Sequence, residues 1–154
     1  MYLWVLALHS VLRWLVLLFG LVAVGRALSG WAGARPWTPG DDRAGRLFGR
    51  TLDVQVLLGL ILYALLSPIT HAAFANMGAV MRDPTLRYFT IEHVFAMIIA
   101  IAFVNIGRVR VRKMATDVAR HRAATIFYGL ALLAILMGIP WPFMKVGRPL
   151  IPSL

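Results

Sequence analysis

Four ionisable residues stand inside otherwise apolar stretches of this chain: His9 and Arg13 within LWVLALHSVLRWLVLL, and Glu92 and His93 within FTIEHVFAMIIA. In lipid each such group costs about 3 kcal/mol at the helix centre, so each needs a partner or a purpose. His9 and Arg13 are four apart and share a helix face. Three chemistries use a set of this kind. Arg13 and Glu92 can form a buried ion pair, with the imidazoles as neutral hydrogen-bonding groups. His9 and His93 can supply the two axial nitrogens of a b-type haem, with Arg13 beside a propionate. His and Arg can instead donate to a quinone carbonyl while Glu92 takes up a proton. A metal held jointly by Glu92 and His93 is disfavoured, because adjacent helix positions diverge by about 100°; no metal centre is expected.

A second polar grouping comprises Asp53, Gln55 and Asn105, with Arg26, Arg50 and Arg108 close in sequence to the same depth. Asp53 and Arg50 are three apart and suit a snorkelling pair near the interface. The expectation is a structural ion-pair cluster drawing on Arg13, Glu92, Asp53 and Asn105; a proton entry point is the weaker use, since Asp53 sits shallow. His71 and His121 are expected at the interfaces. No catalytic residues are assigned: the chain has no nucleotide loop and no HExxH helix, and the His9–Ser10 pair lacks a placed acid and oxyanion donors. With no cysteine, disulfides, thiolate metal sites and iron–sulfur clusters are excluded.

The elements that must position these residues follow from composition. Of 154 residues 60% are hydrophobic and only 14% charged, and mean hydropathy is +0.78, which no soluble globule of this size can bury. A membrane span needs about 20 apolar residues, and four stretches qualify, at about 3–25, 47–66, 86–107 and 123–139. The first lacks the basic n-region of a cleaved signal peptide and is kept as mature structure. The fold class is all-α: a single transmembrane domain over 1–154, an up-down-up-down four-helix bundle. Spans one and three then run the same way, which sets His9 and the Glu92/His93 pair at similar depth, roughly 6 to 9 Å below the surface.

Arg26, Arg35, Arg43, Arg46 and Arg50 lie between spans one and two, and Arg108, Arg110, Arg112, Lys113, Arg120 and Arg122 between three and four; Arg82, Arg87, Lys145 and Arg148 lie on the opposite side. The positive-inside rule places both termini outside the cytoplasm, periplasmic in a bacterial inner membrane. The net charge of +10 is thus a topology signal and not a sign of nucleic acid. The expected partners are lipids, including anionic headgroups at the basic loops, and other membrane subunits. The loop Ile69–Asp83 suits a short interfacial helix, and Trp4, Tyr63, Tyr88, Trp141 and Phe143 at one boundary with Trp31 and Trp37 at the other suit an aromatic belt. Ala96, Ala100 and Gly20 offer room for a macrocycle or for close helix packing. The fourth span, FYGLALLAILMGI (127–139), is almost without polar groups and is expected to face lipid or another subunit.

The segments LHSVLRWLVL (8–17), DVQVLLGLILYALLSP (53–68), RYFTIEHVFAMIIAIAF (87–103), IGR (106–108) and IFYGLALLAILMGIPWP (126–142) together resemble a group of small four-span bacterial membrane proteins from Bacteroidetes- and Gemmatimonadetes-like genomes. Their function is not established, and many carry the loose label "cytochrome b". The resemblance covers nearly the whole chain. It implies that the group's intramembrane histidines correspond to His9 and His93, while a third histidine of some members falls where this chain has Asp53, which does not ligate haem. Two functions are therefore expected to compete. One is an accessory or scaffolding subunit of a respiratory or photosynthetic complex. The other is a b-type cytochrome with one bis-His haem near the outer face, taking electrons from quinol.

Overall fold

The computed structural model describes residues 1–150. Among them there is no strand; the chain runs α1 (Tyr2–Ala32), α2 (Pro39–Ile61) continued by a π-helical turn (Leu62–Leu66), three short helices α3 (Pro68–Ala75), α4 (Met77–Val80) and α5 (Pro84–Arg87), a second π-helical turn (Tyr88–Glu92), α6 (His93–Lys113) and α7 (Asp117–Gly138). Four continuous helical stretches, 2–32, 39–66, 84–113 and 117–138, are long and apolar enough to cross a membrane, as expected of an all-α four-helix bundle. Most overrun their apolar stretches, because apolar length sets what spans the bilayer while capping residues set where a helix begins and stops. Thr38 caps α2 with Asp41 closing the capping box, and Thr116 accepts from the Ala119 N–H to start α7. Pro140 ends α7 at Gly138 by denying it a further turn.

The packing order around the bundle is α1, α2, α6, α7. Helix α7 packs extensively on both α6 and α1, and α1 packs on α2, whereas α2 and α6 touch sparsely and α1 and α6 face each other across the diagonal. The fourth span is the most enclosed: in its most apolar stretch α7 has 44% of residues buried, against 22%, 22% and 17% for the other three, while Leu130, Leu133, Leu136 and Met137 stay exposed on its outer face, available to lipid or another subunit as expected. The cause is a seam. His121, Ala124, Tyr128, Ala131, Ile135 and Gly138 are all buried and alternate at spacings of three and four, the a/d rhythm of close helix packing. Lipid is as apolar as a core, so lack of polarity does not identify the lipid face; small residues at a fixed rhythm do identify the packed one.

The loop Ile69–Asp83 forms α3 and α4 rather than a single helix. Beside it the two π-helical turns are tied together, the Tyr63 hydroxyl donating to the Thr90 carbonyl at 3.1 Å. Mid-bundle, Phe48 is wholly buried. Its ring fills the space over Gly20, where a Cβ would approach Phe48 Cε2 to 3.0 Å, and stands edge-on to Tyr128 at 6.1 Å between centroids. Gly20 therefore closes the core and leaves no room for a ligand.

Candidate functional site

Near the end opposite the basic loops, α1, α2, α6 and the π-helical turns enclose a half-open cavity of about 200 Å³. Its walls are mostly aliphatic, and its polar groups include His9, Arg13, Gln55, Tyr63, His93 and Arg148. His9 and His93 come from the diagonal helices and meet with ring centroids 6.4 Å apart and planes at 70°. The expectation that these two converge is fulfilled in this geometry.

The end of α7 fixes His93. The last carbonyls of a helix have no partner within it, and the Gly138 carbonyl is taken by two side chains: His93 Nδ1 at 2.6 Å and the Tyr88 hydroxyl at 2.8 Å. A carbonyl only accepts, so Nδ1 carries the proton and Nε2 keeps its lone pair. Glycine allows the closest approach here: a Cβ at position 138 would come within 2.6 Å of Met97 Cε, which must move aside, and 3.0 Å of Ala96 Cβ. The small residue at 96 thus serves this close approach. His9 is less constrained. Gln55 Nε2 donates to its backbone carbonyl at 2.9 Å, and Gly59 leaves room for the ring, a Cβ there lying 3.2 Å from His9 Cε1. His9 Nδ1 and Gln55 Oε1 are both buried without partners, a potential donor and an acceptor on neighbouring side chains. Among the described residues neither histidine's Nε2 makes a hydrogen bond.

Arg13 is buried, but its partner is not a carboxylate. Its Nη2 donates to the Leu150 carbonyl at 2.9 Å, and Trp14 Nε1 donates to the same oxygen at 3.3 Å. The chain after α7 thereby folds back against α1, with the Arg148 backbone N–H on the Pro140 carbonyl and its guanidinium 4.6 Å from the centre of Phe89. The Arg13 Nε atom is left without a partner.

The ion-pair cluster expected of Arg13, Glu92, Asp53 and Asn105 does not assemble. With His93 facing inward, the adjacent Glu92 faces out; it is exposed and paired to Arg87 at 2.8 Å. This also removes it as a proton acceptor within the cavity. Asp53 and Gln55 are two apart and lie on opposite faces of α2: Gln55 is buried beside His9, and Asp53 is exposed with no salt bridge, to Arg50 or otherwise, among the described residues. Asn105 is exposed and satisfies itself on the Ile101 carbonyl at 2.9 Å.

The ion pairs that do form around a buried group lie at the other end, where Asp41 is held by Arg26 at 3.0 Å and Arg35 at 2.7 Å with its own side chain 1% exposed. The signal for it was the Thr38–Asp41 capping spacing next to two arginines. His71 is exposed, whereas His121 is fully buried within the protein, 4.8 Å from Trp37 between centroids, in a space that a Cβ at Gly30 would overlap.

The site can do one thing well. It presents two imidazoles across an apolar space, one with its tautomer fixed by a backbone carbonyl, the usual support of a metal-ligating histidine. Two rings bridged by one metal atom lie about 6 Å apart between centres, from metal–nitrogen bonds of about 2 Å and half a ring on each side. The observed 6.4 Å fits that separation. No family model, no curated protein and no solved structure matches this chain.

Proposed function

We propose that this protein is a small b-type cytochrome of the bacterial inner membrane, holding one haem between His9 and His93 near the periplasmic face. The observation that carries the reading is the 6.4 Å separation of the two rings, together with the Gly138 carbonyl on His93 Nδ1. When bound, a bis-imidazole haem supplies one-electron transfer. The chain's own residues account for the rest. His9 and His93 would hold the haem, His93 through Nε2, and the Gly138 carbonyl orients the His93 ring and raises its basicity. Arg13 and Arg148 bring positive charge to the cavity, which would balance the carboxylates of the group. Beside the cavity α2 and α6 touch sparsely, and a quinol donor would approach from lipid on that side. The basic loops support placing both termini on the periplasmic side.

An accessory or scaffolding role was the first expectation, resting on a chain without extramembrane domains or a catalytic set and on a fourth span free to dock. The exposed Leu130, Leu133, Leu136 and Met137 of α7 still offer a docking face, but the convergence of His9 and His93 is better used by a cofactor. A second reading is favoured by volume: about 200 Å³ is somewhat more than the roughly 150 Å³ that holds a benzene ring, which suits the single-ring head of a quinone.

One experiment separates these readings. The protein is purified in mild detergent after expression with ample haem, and reduced-minus-oxidised visible spectra are recorded with a pyridine haemochrome assay. The expected result is a sharp low-spin b-type α-band, equimolar with the chain and absent in His9→Ala and His93→Ala. A colourless protein that binds decylubiquinone in a His93-dependent manner establishes the quinone reading instead. Failure of both leaves the histidines as structural groups.

A further inference from the structure

A second cavity, of about 240 Å³, opens at the end that carries the basic loops, between α2, α6 and α7. It is lined by Arg46 and Asp42 of α2, Arg108 and Arg112 of α6, and Tyr128 of α7, with Gly45 and Val111. Glycines create it. Gly45 and Gly107 admit the Tyr128 ring, a Cβ at Gly45 lying 2.7 Å from the phenol oxygen and one at Gly107 lying 3.1 Å from Cε1. Gly49 admits Arg108, whose Nη1 would stand 3.2 Å from a Cβ there. Three arginines thus face one carboxylate. None of the three takes part in a salt bridge among the described residues, and the Tyr128 hydroxyl has no hydrogen-bond partner among them.

Like charges are gathered here without internal neutralisation, at the depth where the spans leave the bilayer. Guanidinium groups match the oxygens of a phosphate two at a time, and the phenol adds a donor. The volume is that of several water molecules at about 30 Å³ each, enough for a phosphate group that keeps part of its hydration. We propose that this cavity binds a phosphate-bearing anion, contacted by Arg46, Arg108, Arg112 and Tyr128. The chemistry is shared by an anionic lipid headgroup and by free phosphate. It is independent of any occupant of the histidine cavity.

The test uses the purified full chain in neutral detergent, with thermal unfolding followed by tryptophan fluorescence. Dioctanoyl phosphatidylglycerol, dioctanoyl phosphatidylcholine and inorganic phosphate are titrated separately. Phosphatidylglycerol is expected to raise the Tm saturably, and phosphatidylcholine, with no net charge, to do so at least tenfold less effectively. Arg46→Gln and Arg108→Gln are expected to raise the half-saturating concentration about tenfold. Arg110→Gln, an exposed arginine of α6 outside the cavity, is expected to leave it unchanged. Gly45→Ala pushes the Tyr128 phenol from its place without altering charge and is expected to weaken the response of a chain that still unfolds cooperatively. A response to inorganic phosphate as strong as to phosphatidylglycerol assigns the site to a free anion; a response to the lipid alone assigns it to a headgroup. The proposal is overturned by no response to either anion, by equal responses to the two lipids, or by Arg110→Gln weakening binding as much as Arg108→Gln.

Discussion

At the basic end of the bundle every close approach is filled by a large side chain: His121 over Gly30, Tyr128 between Gly45 and Gly107, and further in Phe48 over Gly20. At the histidine end the same device leaves space, for Gly59 faces only the edge of an imidazole and the walls beyond it stand apart around about 200 Å³. The contrast extends to charge. Asp41 neutralises two arginines at the basic end, whereas Arg13 has only a backbone carbonyl. A small residue in a membrane helix therefore means close packing or open space according to what the facing helix offers. The filled approaches of the basic end leave only a charged cavity between the helices, whereas the histidine end opens a mostly apolar one.

Substitutions can break or sharpen this contrast. The largest loss is expected for Phe48→Ala, about 3 kcal/mol or more from the void left among Gly20, Tyr128 and their neighbours, measured as unfolding in a denaturing-detergent titration. Asp41→Asn should cost about 2 to 3 kcal/mol in the same titration. It leaves Arg26 and Arg35 without their charge partner, but those arginines are 40% and 31% exposed and rehydrate in part. Gly30→Ala forces the His121 ring aside and should cost about 1 to 3 kcal/mol, with faster amide exchange in the first turns of α7. His93→Ala should cost only about 1 kcal/mol, the worth of its bond to Gly138, while abolishing ligand uptake. Asn105→Leu should stay within about 0.5 kcal/mol. Should His93→Ala destabilise the fold more than Phe48→Ala, the contrast between a filled core and an open histidine cavity collapses.

How much of this was legible beforehand varies by element. The four spans and the His9–His93 meeting follow from apolar length and from the parallel run of spans one and three, both one-dimensional properties. The direction in which a polar residue faces is not of that kind. Glu92 and His93 are adjacent and Asp53 and Gln55 two apart, so only one of each pair can face inward, and the choice depended on rotations of α6 and α2 that no single helix encodes. The packed side of α7 was missed for a different reason. Absence of polarity was read as a face for lipid or another subunit, although the rhythm His121, Ala124, Tyr128, Ala131, Ile135, Gly138 was present in the sequence. The two π-helical turns had no local signal; an extra residue per turn is a compromise reached between neighbouring helices.

The attachment of Leu150 to Arg13 and Trp14 joins residues 137 and 136 positions apart. When α1 and α2 first emerge, the segment that will lie against Arg13 has yet to be made. His93 gains its carbonyl partner only after Gly138 has emerged. The cavity therefore passes through a stage in which both imidazoles have emerged and the segment ending at Leu150 has not. A ligand of the kind proposed would enter most freely in that interval. A bulky fusion placed directly after Leu150 would act as a wedge against this closing, and should be felt as faster release of an occupant or as failure to retain it.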